Sequence, residues 1–274
     1  MMPLNYGLVV SVGLVHTNGI THEVNAMAPS LMRFLLLVSI GLAQHDSCAQ
    51  ADLDVDLPLP RTTYLGRRIA PAMSYLGADW LMRKQRQEEE NCSLMLQQLG
   101  TKPGMTVCDM GAGNGFYTVQ LAHHVGAAGK VLAVDIQPEM LTLLRARAEK
   151  ENITNIQLVL GTVIDPRLPA NQVDLILCVD VYHEFSHPER MLRKMRDSLS
   201  PCGHVVLVEF RAEDPLVPIK ELHKMSRAQI MKELLTNGFR LAREFNDLPW
   251  QHMMYFERDD DWQPAADANG NVTE

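Results

Sequence analysis

The sequence predicts an α/β domain: a doubly wound, mostly parallel seven-stranded sheet with an antiparallel edge strand and an N-terminal helical cap. Three observations lead there. Short apolar runs alternate with amphipathic stretches between residues 105 and 258. Five of those runs are nearly continuous and rich in β-branched residues, as strands buried on both faces must be. The 274 residues are 46% hydrophobic and 21% charged, enough apolar material for a sizeable core, which excludes collagen-like, disordered and coiled-coil classes.

The N-terminal segment is read apart from the sheet. Residues 31–51 carry one basic residue, Arg33, then an apolar run from Phe34 to Ala43, then small residues ending Ala49-Gln50-Ala51. That is the three-part plan of a secretory signal peptide, with cleavage expected after Ala51 and a periplasmic or extracellular location. A cytoplasmic location follows if the pattern is fortuitous. The run is too short to span a bilayer stably, and Met27 or Met32 as the start would give a leader of more ordinary length. Residues 52–99 read as an acidic, proline-containing linker followed by one or two helices of the cap, from Tyr64 to Leu99.

From Gly100 the elements follow in order. Strands are expected at Met105–Met110, Val131–Asp135, Ile156–Leu160, Val173–Asp180 and His204–Phe210. Between them Met140, Leu141, Leu144 and Ala148 mark one helical face, and Met191, Leu192, Met195 and Leu199 another, stopped by Pro201 and Gly203. Such alternation implies βαβ units with helices on both faces of the sheet. Ser226 is a helix cap, followed by an Ile230, Met231, Leu234, Leu235 stripe that Asn237-Gly238 ends. Phe239–Phe245 and His252–Glu257 form an antiparallel pair at the sheet edge. The domain proper spans 100–258, and residues 259–274 read as an acidic, disordered tail.

Charge and cysteine content narrow the partners. Lys plus Arg number 25 against 33 Asp plus Glu, a net charge of −8, which repels nucleic acid and anionic lipid. The five cysteines are too few and too irregularly spaced for a disulfide framework or a paired-thiolate metal site, and Cys108 and Cys178 fall within apolar runs as buried, inert thiols.

The chemistry is carried by Val107-Cys108-Asp109-Met110-Gly111-Ala112-Gly113-Asn114-Gly115-Phe116, which leaves a strand and enters a helix. Glycines there let a ligand approach the backbone, and the helix N-terminus offers unpaired N–H groups. Asp135 closes the next strand, where its carboxylate can accept hydrogen bonds from both hydroxyls of a ribose. The dinucleotide spacing G-x-G-x-x-G demands glycine at 116, where the chain has Phe116.

On VCDMGAGNGFYTVQLA, AVDIQPEML, VDLILCVDVYHEF and the terminal strand pair, the stretch Gly100–Arg258 resembles the class I S-adenosylmethionine-dependent methyltransferases. The likeness is to the small-molecule branch that includes quinone-biosynthesis C-methyltransferases. It implies a Rossmann-like methyltransferase fold, S-adenosyl-L-methionine as cofactor and a small-molecule methyl acceptor. Carried over, Asp109 and the turn Gly111, Ala112, Gly113, Asn114 and Gly115 hold the cofactor's methionine part. Asp135 holds the ribose and Ile136 packs on the adenine; where the family has a Gly-Asp pair at the adenine amine the chain has Gly161-Thr162-Val163, with Thr162 and Val163 as the cofactor candidates there and an acid only at Asp165. Asp180 stands near the sulfonium end and the substrate; Asp180, Tyr182 and His183 are the catalytic candidates, with His187 a further possible base. Trp80 and Tyr75, and Lys220, His223 and Met225, come from segments that cover the site in the family.

A rival pattern overlaps this segment. His183-Glu184-Phe185-Ser186-His187 matches the zinc-peptidase form H-E-x-x-H, which needs both histidines one turn apart on one helix. Here the pentad follows a strand, Pro188 suits a helix's first turn with Ser186 or His187 as cap, and Glu209, the one tempting third ligand, sits in a strand pattern. The two imidazoles are expected to diverge, so no metal ligands are assigned, and methyl transfer is preferred over a secreted zinc hydrolase or a non-catalytic cofactor-fold module.

Overall fold

The computed structural model describes residues 57–264; the leader assigned to 1–51, the start of the linker and residues 265–274 lie outside the described residues. Two short strands, β1 (Thr63–Tyr64) and β2 (Arg67–Arg68), pair antiparallel. A 3-10 helix, Tyr75–Met82, and two short helices, α1 (Arg86–Glu90) and α2 (Cys92–Gln98), complete the cap. The one or two continuous helices expected over 64–99 are therefore broken up. Pro71 lacks the N–H a helix needs, and Asn91, left-handed at φ 50°, closes α1 while its side chain accepts the Leu94 N–H at the start of α2.

The main sheet takes β3 (Thr106–Met110), β4 (Lys130–Asp135), β5 (Ile156–Leu160), β6 (Val173–Val179), β7 (Leu199–Arg211), β8 (Lys224–Met225), β9 (Phe239–Phe245) and β10 (Gln251–Arg258). In space the order is β5-β4-β3-β6-β7-β10-β9, with the two-residue β8 beside β7. Strands β3 to β7 run parallel, and β10 lies antiparallel between β7 and β9, leaving β9 at the edge. The chain winds outward from β3 in both directions, which opens a crevice beyond the C-terminal ends of β3 and β6.

Period-two alternation assigns the two faces. Val107, Val131, Leu175, Leu177 and Val206 pack on α2 and α3 (Phe116–Val125), while Leu144 of α4 (Pro138–Lys150) packs on Ala133 of the same face. Cys108, Leu132, Ile176, Cys178 and Val205 pack on α5 (Pro188–Ser198) and α6 (Arg227–Thr236). Burial pushes the Cys108 and Cys178 thiols well above their ordinary range, which leaves them inert.

Three expectations about side chains need correction. Leu199 is buried, but as the first residue of β7, because α5 stops at Ser198 ahead of Pro201 and Leu199 pairs with Val173. On α6, Leu235 is 45% exposed while Glu233 is fully buried. At the C-terminus the tail is in place through residue 264: Trp262 donates to the Thr236 carbonyl at 3.2 Å and lies over Gly238, where a Cβ would come within 2.8 Å of the indole. No helix among the described residues is long and apolar enough to cross a membrane.

Candidate functional site

The glycine turn stands where β3 hands over to α3. Gly111, Gly113 and Gly115 are all left-handed, a conformation that lets the chain double back to β4. The N–H groups of Gly111 and Ala112 both donate to the Val134 carbonyl at 2.9 Å, and Gly115 donates to Ala112. Gly113 donates to Asp135 Oδ2 and Gln137 to Asp135 Oδ1, each at 2.9 Å. The donors expected to face a ligand are thus largely spent inside the turn. Gly111 and Gly113 still line the cavity with backbone, while Val181 and Leu81 fill the places their Cβ atoms would take.

A cavity of about 620 Å³ opens over the C-terminal ends of β4, β3, β6 and β7, within the range of small-molecule sites. Gly111, Gly113, Asp135 and Ile136 line it, as do Thr162, Val163, Asp180 and His183. Among the other cofactor candidates, Asp109, Ala112, Asn114 and Gly115 stay outside the lining. Asp109 is buried and accepts from the Thr118 hydroxyl at 2.5 Å, so its carboxylate ties β3 to α3 rather than reaching a ligand, and burial raises its pKa to about 6. Ala112 packs with Ala133 and Leu144, and Asn114 donates to the Ala78 carbonyl at 2.8 Å, pinning the cap to the turn.

Tyr182 requires the clearest correction. It is fully buried, its hydroxyl donates to Glu233 Oε2 at 2.7 Å, and burial followed by that carboxylate holds its pKa well above the usual phenol range. A phenol so placed neither meets an acceptor nor takes its proton. His187 bonds through Nδ1 to the Ser186 hydroxyl at 3.0 Å and occupies the N-cap position of α5 without a side-chain cap bond, with Pro188 in the first turn as expected. Of the covering residues, Trp80, Lys220 and His223 line the cavity; Tyr75 does not, and Met225 is buried in the core. Thr162 spends its hydroxyl on the Ile164 and Asp165 N–H groups, and Asp165 turns to Arg167 and Lys194.

The remaining chemistry lies around β6 and β7. Asp180 adopts φ 51° and its carboxylate accepts from Gln251 Nε2 at 2.9 and 3.1 Å. Burial, then the carboxylates of Glu90 and Glu209, push its pKa well up. Glu209, on β7, accepts the Tyr182 N–H at 2.8 Å and holds His183 Nδ1 at 2.6 Å. The sequence pattern singled out Glu209 as a tempting ligand and set it aside as a strand residue; it is on a strand, yet its carboxylate reaches the histidine. Burial alone would lower the pKa of His183, but Glu209 overrides it and the net shift is upward. Glu184 lines the same cavity, accepts the Met73 N–H at 3.2 Å, and is raised by burial to about 7. Arg86 and the Pro71–Met73 segment also line the cavity, and no motif marked them.

A parallel-sheet α/β fold with a glycine turn after its first parallel strand and an acid ending the second defines a nucleoside-cofactor-binding domain. Comparison with known proteins makes this specific. The family described as methyltransferase domain matches residues 101–259. Relatives include the ubiquinone/menaquinone biosynthesis C-methyltransferase UbiE of Shewanella sp. (strain W3-18-1), 28% identical over 140 residues, which are 50% of this chain and 56% of that protein. The same-named protein of Ectopseudomonas mendocina (strain ymp) is 29% identical over 141 residues, 50% of this chain and 55% of that one. The chain spans about half the length of these curated relatives. Among solved structures, a SAM-dependent methyltransferase from Aquifex aeolicus superimposes with a TM-score of 0.64 at 26% identity, covering 68% of this chain and 98% of that one. A putative type 11 methyltransferase from Sulfolobus solfataricus shares the fold, with a TM-score of 0.51 at 21% identity, covering 65% and 96% respectively.

The chain belongs to the methyltransferase domain family, as a class I S-adenosylmethionine-dependent methyltransferase, and its cofactor is S-adenosyl-L-methionine.

Proposed function

We propose that the protein methylates a small, largely apolar acceptor held on the β6–β7 side of the cavity, with the cofactor on the β4–β3 side. One observation carries this reading: a single cavity joins Asp135, at the end of β4, to the His183 and Glu184 cluster beside β7, three strands away or about 14 Å at ordinary strand spacing. The ribose end of the cofactor and the acceptor are thereby assigned to opposite ends of one cavity. Phe185, Met191 and Phe210 give its β6–β7 side an apolar lining. The curated relatives' naming as C-methyltransferases of quinone biosynthesis supports an aromatic acceptor.

When bound, the cofactor supplies a methyl group already activated on a sulfonium, so the protein's task is alignment and exclusion of water, worth about 7–11 kcal/mol. Asp135 already accepts two backbone N–H groups, one on each oxygen, and each oxygen keeps a second lone-pair site for a ribose hydroxyl. Ile136 is 41% exposed and lines the cavity, an apolar surface for the adenine. Gly111 and Gly113 bring backbone to the cavity wall beside the expected methionine arm.

Calorimetric titration with S-adenosylhomocysteine tests the assignment. The wild-type protein is expected to bind in the micromolar range, and Asp135→Ala to weaken binding at least tenfold. Because that variant also strips acceptors from Gly113 and Gln137, Ile136→Glu serves beside it, a surface change expected to weaken binding without unfolding. Undiminished affinity in both folded variants would refute the placement of the nucleoside.

A second expectation concerns pH. Asp135, Asp180 and Glu184 line one cavity with their carboxyls held above the ordinary range by burial, so the free protein resists collecting their charge. A cationic ligand favours the ionised forms. Since Glu184 titrates near 7, affinity for the sulfonium cofactor should rise as pH passes from 6 to 8, with protons released on binding. The neutral thioether of S-adenosylhomocysteine should show a smaller rise, so the affinity ratio of the two ligands grows with pH. A ratio constant from pH 6 to 8 contradicts this electrostatic account.

A further inference from the structure

We propose that His183, Glu184 and His223 form a binding site for one divalent transition-metal ion on the acceptor side of the cavity, with Glu209 as the positioning residue. The donor atoms of the three side chains all lie within 4.8 Å of one another, and all three residues line the cavity. Two 3-10 turns bring them together: Tyr182–Glu184 presents His183 and Glu184 consecutively, and Glu221–His223 presents His223 across from them.

The geometry is that of ligands held ready. Glu209 engages His183 Nδ1 at 2.6 Å, which orients the ring and leaves Nε2 toward His223. A carboxylate gripping the far nitrogen of an imidazole is the usual support of a metal-bound histidine, and it raises the basicity of the ligating nitrogen. His223 Nδ1 stands 3.0 Å from His183 Nε2. Two imidazole nitrogens bound to one ion at about 2.1 Å stand about 3.0 Å apart at a right angle and about 3.4 Å apart in a tetrahedron, so only a small opening of this pair admits the ion. The Met73 N–H anchors Glu184 through Oε1, leaving Oε2 to ligate.

The donor set selects the ion. Two imidazoles and one carboxylate suit zinc, iron, cobalt or manganese, while magnesium and calcium prefer all-oxygen sites. Two carboxylates, Glu184 and Glu209, face the cluster, whereas the nearby Arg67 guanidinium is neutralised by Glu233. His187 takes no part, because its ring is turned to Ser186. The site therefore differs from the H-E-x-x-H arrangement twice: Glu184 is a ligand and not a base, and the second histidine comes from 40 residues further along the chain. Three protein ligands leave coordination positions open to the cavity. That an acceptor oxygen fills one of them rests on the proposed methyl transfer, and it narrows the acceptor to a compound with a phenolic or enolic oxygen near the methylated atom.

Cobalt(II) titration of the full chain, followed by visible absorption and calorimetry, tests the site. Metal-free protein is expected to bind one cobalt ion with d–d bands showing nitrogen ligation. His223→Ala and Glu184→Gln should each weaken binding at least tenfold, while His187→Ala leaves it unchanged. Absence of stoichiometric uptake would show that the two imidazoles share only a hydrogen bond and would overturn the proposal. So would uptake that survives both substitutions, or that is lost in His187→Ala. S-adenosylhomocysteine titration of the same metal-free samples reads the cofactor side separately, so failure of either reading is seen without the other.

Discussion

Gly115→Ala is expected to cost about 2–5 kcal/mol of folding stability for one added methyl group. Gly115 has φ +86°, and a Cβ there would stand 2.2 Å from Leu144 Cδ1 and 3.3 Å from its Cγ. Leu144 cannot retreat, because it is fully buried against Ala112 and Ala133. Two costs therefore combine: a left-handed backbone for a residue with a Cβ, and an overfilled core. Gly100→Ala separates them, since Gly100 has φ +69° but nothing within 4 Å of its Cβ position. That control should lose only the backbone part, about 1–2 kcal/mol. Urea denaturation of both variants reads the difference, and equal losses would show that Leu144 is free to move. Cofactor affinity should fall in Gly115→Ala alone, because the same turn holds Gly113 against Asp135.

Glu233→Ala is expected to destabilise the protein by about 3–5 kcal/mol, the cost of leaving one partner of a buried ion pair alone. The Glu233 carboxylate is fully buried and accepts from Arg67 at 2.6 and 3.2 Å, from the Tyr182 hydroxyl at 2.7 Å and from Gln229 at 2.7 Å. Its removal strands a guanidinium and a phenol together. The effect should reach the site, because Arg67 also donates to the His183 carbonyl at 2.9 Å. Replacing both partners, Arg67→Met with Glu233→Leu, should recover much of the loss, since an apolar pair carries no unmatched charge. A loss below about 1 kcal/mol in the single variant would mean that water reaches the pair and screens it.

How much was legible in advance follows from which interactions are local. The five parallel strands appear within a residue or two of their expected bounds, except that β7 begins at Leu199, because strands buried on both faces leave a continuous apolar trace. The α4 face of Met140, Leu141, Leu144 and Ala148 is buried as expected. The left-handed glycines are legible because that backbone conformation restricts residue type at each position, and Asp135 because an acid closes the second strand of the βαβ unit. The cap is less legible, since proline and asparagine interruptions decide its short pieces.

Glu233 and Leu235 show where such reading stops. Periodicity ranks side chains by polarity, so it turned Leu235 inward and gave no reason to bury Glu233; the inversion depends on Arg67, 166 residues away in sequence. Glu209 and His223 meet His183 in the same manner, from separations of 26 and 40 residues. By itself the sequence determined the sheet and the glycine turn, set by hydrophobic period and chain-local sterics, and with them the strand end at which Asp135 stands. Only the tertiary structure decided which buried charges find partners, and which histidine joins His183. Those pairings offset the cost of burying charge only through attraction and hydrogen bonds at contact distance, and contact between remote segments exists only once the chain has folded.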